Sequence, residues 1–202
     1  MQRRLANVNT QMYGRPDRQD DMTDQLSAQD WLDQGLKVLA AKGFTALKAE
    51  PMAKAMGVSR GSFYWHFADI GAFHAALLSH WREVAAEQVI TGVEAAAKDG
   101  QPLAVLLRRT FSGRLALEKA VRSWAASDAG ARNAVQAIDR RRLDYVASLI
   151  VAEGLAPEAA QARAQILYWA FVGFALSDRP LPKPQHEAVI DELIRIARRK
   201  PS

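Results

Sequence analysis

Polar and aromatic side chains crowd together between residues 59 and 67 of the sequence. Phe63 and Phe67 are one helical turn apart, so a short helix here would be anchored along one side. Its other side would then present Arg60, Ser62, Tyr64, Trp65 and His66. These residues could be ordinary surface, but an exposed Tyr-Trp-His run is unfavourable in water without a partner. The pattern therefore favours a binding surface.

The partner that suits these residue types is duplex DNA. Arg60 and Ser62 are donors near the N-terminus of the helix, where a helix in the major groove meets base edges. Tyr64 and His66 are better placed for phosphates, and Trp65 for a thymine methyl group or a sugar.

A second short helix precedes this one and is joined to it by a tight turn. Residues 49–56 carry apolar side chains at helical spacing, and Pro51 falls in the first turn, where its missing N–H is harmless. Gly57 can adopt the left-handed conformation that ends a helix, and Ser59 is expected to cap the next one with its side chain. Two such helices predict a helix-turn-helix over residues 48–67. Its predicted DNA contacts are Lys48, Lys54, Ser59, Arg60, Gly61, Ser62, Tyr64, Trp65 and His66.

The run from Ala53 to Phe67, AKAMGVSRGSFYWHF, resembles the DNA-binding signature of the tetracycline-repressor (TetR) family of transcriptional regulators, and Ala41–Phe44 matches the end of that family's first helix. The resemblance implies a DNA-binding domain followed by a helical domain that binds a small-molecule effector. It also implies a homodimer, formed through the last two helices, that acts on a palindromic operator.

Composition narrows the class of protein. The 202 residues include no cysteine, which excludes disulfides, thiolate metal sites and a cysteine nucleophile. No constellation of catalytic residues or metal ligands is present, so neither an enzyme nor a cofactor is predicted. The net charge of +5 favours an acidic partner such as nucleic acid. No apolar run approaches the length of a membrane span, and a cytoplasmic location is expected.

The remaining sequence predicts an all-α protein with two domains. Residues 1–24 are polar and aperiodic and are expected to form a disordered arm. Residues 25–85 should form the DNA-binding domain, and residues 86–202 a helical domain for effector binding and dimerisation. A long helix beginning near Asp69 is expected to be the only mechanical link between the two.

Large or charged side chains on several helices of the second domain could line an effector pocket. The candidates are Trp81, Phe111, Arg122, Trp124, Arg142, Tyr145 and Tyr168. An ion pair between Arg122 and Asp139 is the simpler interpretation of that arginine, and recognition of an anionic ligand is the alternative.

The helix predicted from Pro157 to Ser177 carries two apolar stripes. One stripe (Ala162, Ile166, Trp169, Gly173 and Leu176) is expected to pack on the chain's own core. The other is expected to meet a partner subunit, together with the last helix; the predicted interface residues are Leu167, Phe171, Phe174, Ile190, Leu193 and Ile194. A helix sandwiched within a single chain is the alternative.

The sequence as a whole therefore predicts a homodimeric, ligand-responsive transcriptional repressor. The alternative is a helical ligand-binding or protein-interaction module that does not bind DNA.

Overall fold

A computed structural model describes residues 26–97, 100–113, 115–179 and 181–198 of the chain. The predicted arm, residues 1–24, lies outside these ranges. The described residues form helices and turns with no β-strand, which confirms the all-α prediction. The α-helices are α1 (Ala28–Lys42), α2 (Ala49–Ala55), α3 (Arg60–His66), α4 (Ile70–Arg82), α5 (Gln88–Ala96), α6 (Pro102–Ser112), α7 (Ala116–Ala125), α8 (Ala129–Ala152), α9 (Pro157–Leu176) and α10 (Lys183–Arg198).

Helix α1 supports the helix-turn-helix from behind. It begins with a capping box in which Ser27 and Asp30 each bond the other's backbone N–H. Trp31 is fully buried and meets the ring of Phe63 edge-on, with the ring centroids 5.3 Å apart. Phe73 of α4 packs on the same phenylalanine at 5.3 Å. Two helices, α1 and α4, therefore fix α3 through one of its side chains.

The turn between α2 and α3 follows the prediction at Gly57 and departs from it at Ser59. Gly57 has a φ of +72°, which glycine adopts without strain, and the N–H of Val58 returns to the carbonyl of Ala53 at 3.0 Å. Ser59 occupies the N-cap position, but its hydroxyl makes no capping bond, so this prediction was wrong. The N–H of Ser62, which the hydroxyl would have capped, donates to the carbonyl oxygen of Ser59 instead, at 3.1 Å.

The helix that begins after Asp69 continues to Ala96 with one irregularity. Asp69 caps its first turn by accepting a hydrogen bond from the N–H of Ala72 at 2.7 Å. Between α4 and α5, residues Glu83–Glu87 form a wider π-helical segment, which we call the π segment. The predicted domain boundary at residue 85 falls inside it.

This helix is not the only link between the two parts of the chain, contrary to the prediction. The 3-10 turn Phe44–Ala46, which follows α1, also packs on α7. Phe44 stacks on Trp124 there, with ring centroids 4.4 Å apart. The buried side chains of α1 to α4 therefore form one continuous core with those of α7 and α8. The physical reason is that α7 turns a strongly apolar face towards α1, and burying it is favourable.

The last helix begins earlier than predicted. Proline at every second position from 180 to 184 predicts an extended connector followed by a helix from Glu187, whereas α10 begins at Lys183. Pro184 then lies in the first turn, where a helix needs no backbone donor.

Candidate nucleic-acid interface and interior cavity

Helix α3 buries Phe63 and exposes most of its other side chains. Phe63 is inaccessible to solvent, whereas the side chain of Trp65 is 88% exposed. Arg60, Gly61, Tyr64 and His66 are exposed as well, and Ser62 is half-buried. Helix α3 is fixed by buried Phe63. An exposed tryptophan on such a helix indicates a surface that binds a partner.

Arg60 and Tyr64, predicted as two separate DNA contacts, form a pair on this surface. The guanidinium of Arg60 donates to the Tyr64 hydroxyl at 3.1 Å, and its central carbon lies 5.4 Å from the centre of the ring. The hydrogen bond that Arg60 donates to Tyr64 raises the pKa of Arg60 above its ordinary value. Both side chains therefore lie together, one turn apart, on the exposed face of α3. The predicted roles differ, with Arg60 contacting base edges and Tyr64 contacting phosphates.

A shallow cleft brings Lys48 and Lys54 next to this pair. It is lined by Lys48, Ala49, Glu50, Pro51, Lys54, Arg60, Tyr64 and Ile70. Three of these side chains are cationic and one is acidic, so the cleft is locally positive and suits a phosphate backbone. The structure thus gathers four of the predicted DNA-contacting residues around one cleft, with Trp65 and His66 on the same helix.

An interior cavity of about 390 Å³ lies between α4, the π segment and helices α5 to α9. Five of the residues predicted to line a pocket do line it: Trp81, Phe111, Arg142, Tyr145 and Tyr168. The rest of the wall is mainly aliphatic, with Val84, Leu106, Val146 and Leu167 among its members. A largely apolar wall with a few polar groups is the usual composition of a small-molecule site.

Two predicted pocket residues lie elsewhere. Trp124 is buried between Phe44 and His74 in the core shared with α1, because the packing of α7 on α1 turns it away from the cavity. Arg122 is held by an ion pair with Asp139, with Nη2 and Oδ1 2.7 Å apart. The simpler of the two interpretations of Arg122 is therefore correct.

Glu118, which the sequence analysis missed, is the centre of the charged network beside the cavity. It is only 5% exposed and accepts hydrogen bonds from two nitrogens of Arg142, each at 3.0 Å. Arg122 donates to it from Nε at 2.8 Å. The i, i+4 spacing of Glu118 and Arg122 on α7 was a signal that could have identified this contact.

The phenol of Tyr168 completes the network. Its hydroxyl accepts a hydrogen bond from Arg122 at 2.7 Å and donates one to Asp139. Burial and the bond to Asp139 raise the pKa of Tyr168 well above its ordinary value, so this phenol remains neutral. Two arginines, two acids and one phenol thus satisfy one another.

Arg142 also reaches the π segment. Burial alone would lower its pKa, but the charge of Glu118 and the hydrogen bonds outweigh burial and raise it. The guanidinium donates to the carbonyl oxygen of Ala85 from Nη2 at 3.1 Å and from Nε at 3.3 Å. The network therefore joins α7 and α8 to the helix that leads back to the DNA-binding region.

The faces of α9 are the reverse of those predicted. Leu167 and Phe171 are buried within the single chain, where Phe171 lies near Phe111, and Ile190 of α10 is buried too. Phe174, Leu193 and Ile194 are half-buried against the same core. The exposed apolar side chains are those of the other stripe, Ile166 at 52%, Trp169 at 66% and Leu176 at 44%. The prediction failed because helical spacing separates two faces without saying which one its own chain covers.

Comparison with known proteins identifies the N-terminal part and the fold. The family model described as bacterial regulatory proteins, tetR family, matches residues 32–77. A comparison with curated proteins gives no significant match.

Several solved structures share the fold. A protein from Saccharomonospora viridis, solved in complex with choline, is 13% identical with a TM-score of 0.66, over 83% of this chain and 95% of that one. A structure from Rhodococcus sp. assigned to the TetR family is 17% identical with a TM-score of 0.62, over 87% and 97% of the two chains. The multidrug-binding protein EbrR in complex with imidazole is 22% identical with a TM-score of 0.56, over 82% and 93%. These matches confirm the predicted resemblance: residues 32–77 match the tetR-family model, and the chain shares the fold of these solved structures, one of which is assigned to the TetR family.

Among the described residues, no helix combines the length and the apolar character needed to cross a bilayer.

Proposed function

We propose that this TetR-family chain is a transcriptional repressor that binds a palindromic operator as a homodimer and is released by a small-molecule effector. The exposed face of α3, fixed from behind by Phe63, is the observation that carries the proposal. A rigid helix that displays Arg60, Tyr64, Trp65 and His66 is suited to the major groove.

In this proposal, different residues contact base edges and phosphates. Arg60 and Ser62 read base edges, and Trp65 contacts a thymine methyl group or a sugar. Lys48 and Lys54 neutralise phosphates from the neighbouring cleft, which Tyr64 also lines. Tyr64 and His66 contact phosphates from α3. The hydrogen bond between Arg60 and Tyr64 would hold the arginine in one rotamer before DNA binds.

We propose that the exposed faces of α9 and α10 form the dimer interface. Ile166, Trp169 and Leu176 of α9 lie on one exposed stripe, and Val189 and Ile196 of α10 are also exposed. Apolar side chains on two exposed helices need cover, and a second copy offers the same residues across a two-fold axis. This proposal replaces Leu167, Phe171 and Ile190, which the chain buries by itself.

The interior cavity is the proposed effector site. Its wall includes Val84 and Ala85 of the π segment, so a ligand there would press on the helix that begins beside the recognition helix. Displacing that helix in both subunits would change the separation of the two α3 helices, which must match half-sites about 34–36 Å apart.

Selection of bound fragments from random DNA with the purified protein tests the proposal. A palindromic consensus, bound more weakly as salt rises, is the expected result. A Trp65→Ala variant that retains its fold but enriches the consensus more weakly would assign the binding to α3.

The alternative, a helical ligand-binding or protein-interaction module without DNA binding, keeps the cavity and gives α3 another partner. It is favoured if the folded protein enriches no sequence and its weak DNA binding does not change in Trp65→Ala.

A further inference from the structure

We infer that the interior cavity takes an apolar molecule that carries a carboxylate, with Arg109 and Tyr145 as the groups that bind it. The inference names the ligand class of the proposed effector site and rests on that proposal for its biological meaning. Its physical basis is separate, because it depends on which polar groups of the cavity wall already have partners.

The charged groups at the inner end of the cavity are already paired. Both oxygens of Glu118 accept hydrogen bonds from Arg142, and one of them also accepts from Arg122. The remaining donors of Arg142 are used by the carbonyl oxygen of Ala85. A charged ligand would have to break this network to gain a partner in it, which is unfavourable for buried ions.

Arg109 is the cationic side chain of the wall that the network does not use. It lines the cavity and is exposed to solvent, so it stands where the cavity opens. Among the described residues, no carboxylate lies within ion-pair distance of its guanidinium. An arginine can hold a carboxylate through two parallel hydrogen bonds.

The guanidinium of Arg109 occupies the space that a side chain at Gly92 of α5 would fill. A Cβ added at Gly92 would overlap Nη1 and would come within 3.0 Å of the guanidinium carbon. The arginine headgroup therefore lies directly against the α5 backbone beside the cavity. A glycine at position 92 leaves room for the headgroup there, and any larger residue would move it.

Tyr145 supplies the second group. It lines the cavity and is 9% exposed, and its buried hydroxyl has no hydrogen-bond partner among the described residues. Burial raises the pKa of Tyr145, and the charge of Glu94 adds to that effect, so the phenol keeps its proton and can donate it. A buried hydroxyl without a partner is unfavourable, and a ligand oxygen would relieve that cost.

The pairing of the charged groups in the cavity wall also disfavours cationic ligands. Glu118 is the acidic residue among those that line the cavity, and its oxygens are occupied by the two arginines. A bound ammonium group would therefore lack a counter-charge and would face Arg109. This chain should differ in that respect from the Saccharomonospora viridis protein, which was solved with choline.

The test uses three probes that share one ring system, measured by calorimetry on the full-length protein: 2-naphthoate, 2-acetylnaphthalene and 2-naphthylmethylammonium. We expect naphthoate to bind at least roughly tenfold more tightly than either of the other two probes. A tenfold ratio corresponds to the weakest hydrogen bond expected with a charged group. Arg109→Gln should abolish this preference, and Tyr145→Phe should weaken naphthoate binding by a smaller factor. Arg108→Gln is the matched control, because its exposed side chain pairs with Asp191 and does not line the cavity.

Three results would overturn the inference: ammonium binding as tight as naphthoate, naphthoate binding unchanged in Arg109→Gln, or no binding of any probe by folded protein. DNA selection on the same preparations separates this outcome from the proposed function. An operator found without a carboxylate preference rejects only the ligand class. A carboxylate preference without sequence-specific DNA binding rejects the repressor and leaves the site intact.

Discussion

Arg142 of α8 donates two hydrogen bonds to the carbonyl oxygen of Ala85, in the π segment of the helix that begins beside the DNA-binding surface. A π segment leaves backbone carbonyls less regularly paired than an α-helix does, and it often marks a functional position. Arg142 donates to one carbonyl of this segment and also to buried Glu118. Arg142 therefore lines the cavity, belongs to the charged network and contacts the π segment.

Replacing Arg142 should destabilise the fold strongly. Arg142→Met leaves Glu118 buried with Arg122 as its remaining charged partner, so we expect a loss of about 3–5 kcal/mol in the free energy of unfolding. Arg141→Met is the control: its pair with Glu87 is on the surface, and a change below about 1 kcal/mol is expected. Urea denaturation measures both, and equal effects in the two variants would argue against the network.

Trp65 should matter for DNA and hardly at all for stability. Its side chain is 88% exposed, so Trp65→Ala should change the free energy of unfolding by less than about 0.5 kcal/mol. Operator affinity should nevertheless fall by about 1–3 kcal/mol, the range of one specific contact. Phe63→Ala, at the buried position two residues earlier, should instead cost about 3–5 kcal/mol of stability. Unchanged operator binding in a folded Trp65→Ala protein would remove α3 from the interface.

Lys54 should set affinity without setting sequence. Lys54→Ala should weaken all DNA sequences alike and reduce the slope of log K against log salt by about one, because one phosphate contact is lost. Lys37→Ala, an exposed lysine on α1 outside the positive cleft, should leave the slope unchanged. Titrations at several salt concentrations decide the matter, and a changed consensus in Lys54→Ala would contradict the assigned role.

Trp169 should hold the dimer together. Trp169→Glu places a charge on the exposed stripe of α9, and light scattering should report a monomer that retains its helical content. Ile70→Glu is the control, since it changes an exposed apolar residue at the start of α4 and should leave the dimer intact. Phe171→Asp should instead unfold the chain, because that side chain is part of its own core. A dimer that persists in Trp169→Glu would place the interface elsewhere.

Gly92→Ala should separate stability from ligand binding. Alanine in the interior of a helix is favoured over glycine by about 0.5–1 kcal/mol, and the flexible arginine head can move aside, so the melting temperature should rise. Moving the guanidinium of Arg109 should at the same time weaken the binding of 2-naphthoate. A variant that is more stable and binds naphthoate as well as the natural chain would show that the position of Arg109 is unimportant.

The sequence by itself determined the features that depend on neighbours along the chain. The spacing of Phe63 and Phe67 and the left-handed Gly57 are local, and they were enough to predict the helix-turn-helix and its exposed face. The all-α fold followed in the same way, because helical periodicity and caps are properties of short segments. These are also the features on which the family resemblance rested.

Only the tertiary structure decided which face of each helix packs against the rest of the chain. Periodicity showed that α9 has two apolar stripes, but which of them meets α6 and α10 depends on the paths of helices far away in sequence. The same reason explains Trp124, whose neighbours Phe44 and His74 lie more than forty residues earlier. The partners of Glu118 and the place of Arg109 against Gly92 were equally hidden. A side chain's type limits the contacts it can make, and the packing of distant helices selects among them.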